Sequence, residues 1–135
     1  MAQLSKSSAT LRISGDDLVP DEVTRLLGTS PTHAQSKGEP IFTKQGTSRI
    51  AKLGMWRLNA TVRKPGDLDG QIQEILGQMT TDLSVWTDLH QRYDMDLFCG
   101  LFMDSSNEGL IISPISLREL GSRGIELGLD IYRIV

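Results

Sequence analysis

The segment that most constrains the fold is GMWRLNATVRK, residues 54–64, because its side chains alternate in polarity. Trp56, Leu58, Ala60 and Val62 alternate with Met55, Arg57, Asn59 and Thr61. Since successive side chains of a strand point to opposite sides, this strand has one apolar face and one polar face. Such a strand belongs to a sheet that is covered on one side only.

Three more segments are predicted to be strands from their apolar patterns. They are TLRIS (10–14), MDLFCGLFMD (95–104) and IELGLDIYRIV (125–135). The first places Leu11 and Ile13 on one face. The second is apolar on both faces, which indicates a central strand. The last places Ile125, Leu127, Leu129 and Ile131 on one face.

Proline and glycine mark the ends of the helical segments. The first helix is predicted to begin at Pro20, and Gly28 is predicted to end it as a left-handed cap. The longest helical pattern covers residues 68–93, and Thr80-Thr81-Asp82 is expected to break it, with a threonine capping the second helix. The segment SPISLRELGSRG (113–124) repeats the first pattern, with serine as the cap, proline first and glycine just past the end.

These elements predict the order β-α-β-α-β-α-β, with room for extra short strands. A chain of 135 residues has the usual size of one domain. We therefore expect a single-domain α+β fold over residues 9–135, a two-layer sandwich of a mostly antiparallel sheet with helices on one face. Residues 1–8 are small and polar, and we expect them to form a flexible N-terminal segment.

Two segments together carry a family resemblance. The first is ISGDDLVPDEVTRLLGTSPT (13–32), followed by Lys37-Gly38 and Gly54-Met55-Trp56, and the second is LIISPISLRELGSRGIELGLDIY (110–132). In order and spacing they resemble a bacterial family described only as domain of unknown function 4279, over roughly residues 9–132. The resemblance implies a compact one-domain α+β protein of the bacterial cytoplasm. It implies no catalytic residues, because the family has no established activity.

Composition argues against several classes of function. The net charge is −3, whereas nucleic-acid-binding domains have a basic face and a high pI, so we expect no nucleic-acid ligand. No apolar segment is long enough to span a membrane, and the first ten residues lack the apolar stretch of a signal peptide. The single cysteine, Cys99, allows no disulfide within the chain and fits a reducing compartment. We therefore expect a cytoplasmic protein.

The sequence lacks the usual motifs of catalysis and of cofactor binding. Cys99 lies in an apolar strand and is predicted to be an inert core thiol, because a reactive thiolate needs an electropositive, partly open setting. His33 and His90 lie far from it in sequence and form no zinc pattern with it. Neither the phosphate-binding loop GxxxxGK[ST] nor the dinucleotide-binding GxGxxG occurs. We predict no metal and no cofactor.

Residues 29–53 are the part of the chain that local structure explains least, and function often collects in loops. The favoured hypothesis is a non-enzymatic binding or interaction module that uses this loop. Its binding residues would be His33, Lys37, Arg49 and Arg57, which could contact a small ligand or a protein partner. The partner could be a second copy of the chain. The alternative, that these are ordinary solvated charges, stays open.

The competing hypothesis is a small enzyme. Its site would combine Asp16 or Asp17, after the first strand, with Lys37, Arg49 and Arg118 in one cleft. The acidic group to which Asp16 and Asp17 belong has a simpler explanation, because carboxylates favour the positive end of a helix dipole. The enzyme hypothesis therefore depends on whether the fold brings these side chains together.

Overall fold

The computed structural model describes residues 2–134, which contain seven strands and four helices. The strands are β1 (Lys6–Gly15), β2 (His33–Gln35), β3 (Pro40–Phe42), β4 (Ser48–Ile50), β5 (Gly54–Asn59), β6 (Asp94–Met103) and β7 (Glu126–Arg133). The helices are α1 (Pro20–Leu27), α2 (Leu68–Leu76), α3 (Leu83–Arg92) and α4 (Pro114–Ser122). None of these helices is both long and apolar enough to cross a membrane.

Five of the strands form one mixed sheet in the order β2-β5-β1-β6-β7, and β3 pairs with β4 in a separate hairpin. β1 is antiparallel to β5 and to β6, and β2 is antiparallel to β5. β6 and β7 are parallel, as the α4 crossover between them requires.

The prediction of a single-domain α+β fold is confirmed. β6 covers the segment predicted to be a central strand, and it lies inside the sheet between β1 and β7, although Phe98 on its second face is partly exposed.

One face of the sheet and all four helices share the hydrophobic core. Leu11 and Ile13 of β1, Trp56 of β5 and Leu97 of β6 are almost completely buried on this face. The helices contribute Val23, Leu27, Ile72, Ile75, Trp86, Leu89 and Leu120 to the same cluster. The opposite face of the sheet carries the alternate, polar residues, and we call it the open face.

The predicted helix ends are confirmed for the first and last helices. α1 begins at Pro20, and Gly28 follows it with a left-handed φ of 78°. Ser113 caps α4 by accepting a hydrogen bond from the backbone N–H of Ser116 at 3.2 Å. The middle helical pattern is broken where expected, but the cap of α3 is Asp82 and not a threonine. Its carboxylate accepts hydrogen bonds from both the backbone and the hydroxyl of Ser84, which a single hydroxyl at that position does less well.

The described part of the N-terminal segment belongs to the folded domain and is not a separate flexible piece before it. Strand β1 begins at Lys6, Leu4 is only 2 % exposed, and the side chain of Ser7 is buried. Strand β1 therefore begins before the expected boundary at residue 9, in a stretch, Lys6-Ser7-Ser8, that has no apolar side chain to mark it as a strand. Met1 lies outside the described residues.

Glu74 on α2 fastens the helix layer to the chain that follows β5. Its carboxylate accepts hydrogen bonds from the Arg63 guanidinium at 2.9 Å and from the backbone N–H of Thr61 at 2.7 Å. The bond from Arg63, followed by the bond from Thr61, holds the pKa of Glu74 below its ordinary value. Since the pKa is lower in the folded state, this stabilisation is present above the unfolded pKa and is lost as the pH falls through the folded pKa.

We therefore expect Glu74→Gln to lower the free energy of unfolding by about 1 kcal/mol at neutral pH. The difference from the parent protein should shrink as the pH falls through the folded pKa of Glu74, because the parent carboxylate then also becomes neutral. Urea unfolding at a series of pH values measures this, with the exposed Asp17→Asn as the control. An equal loss for Glu74→Gln at neutral and acid pH would contradict the assignment.

Candidate functional site

A row of four charged side chains and one histidine crosses the open face from one edge of the sheet to the other. The strand registers place His33 opposite Arg57, Arg57 opposite Arg12, Arg12 opposite Asp96, and Asp96 opposite Glu126. Neighbouring strands are about 4.8 Å apart, so the row is roughly 19 Å long. Its cations lie toward β2 and its carboxylates toward β7. We call these five residues the charge row.

Arg57 is the unbalanced member of the charge row. Arg12 lies directly opposite it, and like charges in this position repel each other. Among residues 2–134, no carboxylate lies within 4.0 Å of the Arg57 guanidinium, and none of its N–H groups donates a hydrogen bond. The Nε atom of Arg57 is fully buried without a partner in this part of the chain. A buried donor of this kind costs about 1–3 kcal/mol unless a ligand satisfies it.

A pocket of about 430 Å³ lies over Arg57. We call it the basic pocket; it is lined by Thr10, Arg12, His33, Arg57, Asn59 and Phe98. The Asn59 side-chain carbonyl accepts a hydrogen bond from the Thr10 hydroxyl at 2.8 Å, which orients the amide of Asn59 as a donor. The lining therefore holds guanidinium and amide donors, and no carboxylate.

Arg12 is fixed in place between the two halves of the open face. Its Nε and Nη2 atoms donate to the two carboxylate oxygens of Asp96 at 2.8 and 2.6 Å. The guanidinium carbon also lies 4.5 Å from the centre of the Phe98 ring. The hydrogen bond to Asp96 raises the pKa of Arg12, although burial opposes this. Because Arg12 is neutralised by Asp96, Arg57 is left as the cation available to a ligand.

A second pocket, of about 500 Å³, adjoins the first on the other side of Arg12. We call it the acidic pocket, because Asp94, Asp96 and Glu126 line it together with Ser14, Met55, His90, Tyr93, Met95 and Gly124. Within residues 2–134, no three His, Cys, Asp or Glu side chains converge as a metal site would require. The absence of a metal from the protein's function stays a prediction.

The structure brings together two of the four binding residues predicted from the sequence. His33 and Arg57 are opposite each other on β2 and β5, and both line the basic pocket. Lys37 lies in the turn after β2, with its Nζ atom 3.6 Å from a carboxylate oxygen of Asp16. Arg49 lies on β4 in the exposed hairpin, outside the five-stranded sheet. Of the segment 29–53, only β2 contributes to the pocket.

The residues of the enzyme hypothesis are not assembled in either pocket. Asp16 contacts Lys37, and both side chains are more than half exposed. Arg118 is an exposed residue of α4 in the helix layer, and Arg49 belongs to the separate hairpin. None of the five lines the basic or the acidic pocket. The acidic residues before and within α1 follow the dipole pattern, with Asp21 and Glu22 in its first turn.

Thr10, Arg12, Asn59, Asp96 and Phe98 are site residues that sequence reasoning did not select. Each of them alternates with core residues along its strand, and this alternation is visible in the sequence. The polar positions of neighbouring strands together predict that these five residues lie on one surface.

Cys99 is a core thiol, as predicted. Burial, with the nearby Asp96 charge, raises its pKa to about 12.

The fold and the site define an open-faced α+β domain, with helices on one face of the sheet and a charged, concave surface on the other. The chain belongs to the family Domain of unknown function (DUF4279), whose model matches residues 5–133. A search of the curated proteins and a search of the solved structures found no match.

Proposed function

We propose that the protein is a non-catalytic binding module that holds the carboxylate or phosphate group of a small ligand in the basic pocket. The observation that carries the proposal is Arg57, a half-buried guanidinium without a carboxylate partner among residues 2–134. Its register neighbours, Arg12 and His33, add no negative charge. The pocket is therefore complementary to an anion before any ligand is present.

Guanidinium chemistry favours a planar or tetrahedral oxyanion in this position. Arginine donates two parallel hydrogen bonds to a carboxylate or a phosphate, and such charge-assisted bonds are about twice as strong as neutral ones. The anion would also relieve the repulsion between Arg57 and Arg12. The Asn59 amide and the Phe98 ring, which is 38 % exposed, offer a donor and an apolar surface to the rest of the ligand.

The composition of the basic pocket supports binding and not turnover. The nearby carboxylate of Asp96 accepts hydrogen bonds from two nitrogens of Arg12, and the Thr10 hydroxyl donates to Asn59. A nucleophile paired with a general base, the usual arrangement in group transfer, is not formed by the lining residues. We propose the reducing cytoplasm, which the sequence leads us to expect, as the location of the protein.

Binding of inorganic phosphate and of glutarate, each at constant ionic strength, tests the proposal. We expect a saturable heat signal or rise in Tm for at least one of them, which also distinguishes phosphate from carboxylate recognition. Arg57→Gln should weaken this binding at least about tenfold, because it removes charge-assisted hydrogen bonds. Arg49→Gln is the matched control: it makes the same change of charge on the exposed hairpin and should leave the affinity unchanged.

Two results would contradict the proposal. The first is the absence of saturable binding for both anions, and the second is an equal loss of affinity in Arg57→Gln and Arg49→Gln, which would indicate general screening. The anion affinity of His33→Asn is an additional measure, since this substitution changes the edge of the same pocket without altering the Arg57 side chain.

A further inference from the structure

Strand β7 forms a long edge of the sheet, whose carboxylates Glu126 and Asp130 lie on the open side and whose core side carries a charge only at its end, Arg133. The strand is eight residues long, contains no proline, and pairs only with β6 among residues 2–134. Leu129 and Ile131 are 50 % and 61 % exposed. The opposite edge strand, β2, has only three residues. Natural proteins shorten or charge their edge strands because a long apolar edge pairs with other chains.

The exposed leucine and isoleucine lie on the same side of the sheet as the core. Leu127, Leu129 and Ile131 are the register partners of Leu97, Cys99 and Leu101 on β6. The β6 residues are buried, whereas the outer part of β7 is uncovered. The core of the single chain therefore ends in an apolar strip along β7.

We propose that this edge is a homodimer interface, in which β7 pairs antiparallel with β7 of a second copy about a two-fold axis at Leu129. An axis perpendicular to the sheet keeps the helix layers of both copies on one side and their open faces on the other. The result is one continuous ten-stranded sheet, formed by two of the five-stranded sheets. The apolar strips of the two copies then become neighbours in the middle of the dimer.

The side chains of β7 complement themselves in this register. Leu129 faces Leu129 of the partner subunit, and Leu127 faces the partner's Ile131, so the apolar residues on the core side of β7 meet. On the open side, Asp130 faces the partner's Gly128, which leaves room for its carboxylate. No pair of like charges is directly opposite in this register.

The neighbouring registers are less favourable. A two-fold axis between two residues would place side chains of opposite faces against each other, so the axis has to pass through a residue. An axis at Asp130 sets two aspartates directly opposite each other, which is repulsive. An axis at Gly128 sets Glu126 opposite the partner's Asp130, which is also repulsive, and an axis at Ile131 sets Leu129 opposite the partner's Arg133. Charge and shape therefore select Leu129 as the centre.

The first test is the mass of the protein in solution over a range of concentrations, measured by sedimentation. We expect a dimer for the parent chain, and at least a tenfold weaker association for Leu129→Lys, which places two lysines face to face. Because Leu129 is half-exposed, this variant should keep the circular dichroism spectrum and the folded state of the monomer. Phe42→Lys, at the exposed hairpin, is the control and should remain a dimer.

The second test fixes the register by disulfide formation. In a Cys99→Ala background, which prevents a bond to the adjacent strand, Leu129→Cys should form an intermolecular disulfide on mild oxidation. Opposite residues of antiparallel strands have Cα atoms about 4.5–5.5 Å apart, within the range of a disulfide. Asp130→Cys and Ile131→Cys in the same background should form much less.

A parent chain that stays monomeric at all concentrations would overturn the proposal, and the edge would then be open to a strand of another protein. A dimer that persists in Leu129→Lys would overturn it as well, since the interface would lie elsewhere. Preferential cross-linking at position 130 or 131 would overturn the proposed register.

Discussion

Trp56→Ala is expected to lower the free energy of unfolding by about 3–5 kcal/mol, the largest effect of any single change considered for this chain. The indole is completely buried between the sheet and α1, and its Nε1–H donates to the Thr24 hydroxyl at 3.1 Å. Removing it leaves a cavity in a core that relaxes only partially. Domains of this size have a total stability of about 5–15 kcal/mol, so the variant should be close to unfolding at 37 °C.

Chemical denaturation of Trp56→Ala, Trp56→Phe and Phe42→Ala measures this effect. Trp56→Phe keeps most of the buried ring and should lose only a part of the stability. Phe42 is an aromatic residue that is 76 % exposed on the hairpin, so its removal should change the stability by less than about 0.5 kcal/mol. A loss for Phe42→Ala comparable to that of Trp56→Ala would show that the core is wrongly located.

Stability also bears on the site, because Trp56 immediately precedes Arg57 on β5. With the indole in the core, the alternation of the strand directs the guanidinium to the open face. Trp56→Phe should therefore retain anion binding while Arg57→Gln loses it, which separates the role of the core from that of the pocket.

Gln71→Leu is expected to lower the free energy of unfolding by about 2–4 kcal/mol, although leucine is the more hydrophobic residue. The Gln71 amide is buried against the first strand, where it donates to the backbone carbonyls of Ser7 and Thr61 at 3.0 and 2.9 Å. Its carbonyl accepts from the Ser7 hydroxyl at 2.7 Å. Leucine would leave the Ser7 hydroxyl and the Thr61 carbonyl without these partners.

The matched control is Gln91→Leu, the same substitution at an exposed position of α3, which should change the stability by less than about 0.5 kcal/mol. Adding Ser7→Ala to Gln71→Leu should cost less than the sum of the two single changes, because the orphaned hydroxyl is removed with it. Strict additivity in urea unfolding would contradict the proposed coupling.

Local chemistry accounts for most of what could be predicted about the helices. Pro20 and Gly28 define α1 because proline suits the first helical turn and glycine adopts the left-handed cap. Segment 6–8 could not be recognised as strand from its composition, since it has no apolar or β-branched residue, whereas in the fold the Ser7 hydroxyl donates to the buried Gln71 side chain. The motif glycine Gly54 is similar: a Cβ there would lie 2.8 Å from the Gly15 carbonyl oxygen, a contact visible only after the strands pair.

The candidate site could be predicted only in part. His33 and Arg57, which the sequence predicts to be binding residues, share a pocket. Lys37 and Arg49 are predicted with them but lie outside this pocket, because proximity in sequence does not determine which side of a sheet a loop covers. The prediction that these residues bind a ligand stays a prediction until the anion titrations are made.

The sequence alone determined that this chain forms an α+β fold with a one-sided sheet, since the period of two in β5 separates apolar from polar side chains. Only the tertiary structure decided which polar side chains meet. A slip of two residues keeps every side chain on its face, but it would move Arg57 from Arg12 to Thr10 or Ser14. Alternation therefore defines the open face, whereas strand order and register, which depend on the packing of the whole core, create the uncompensated charge of Arg57.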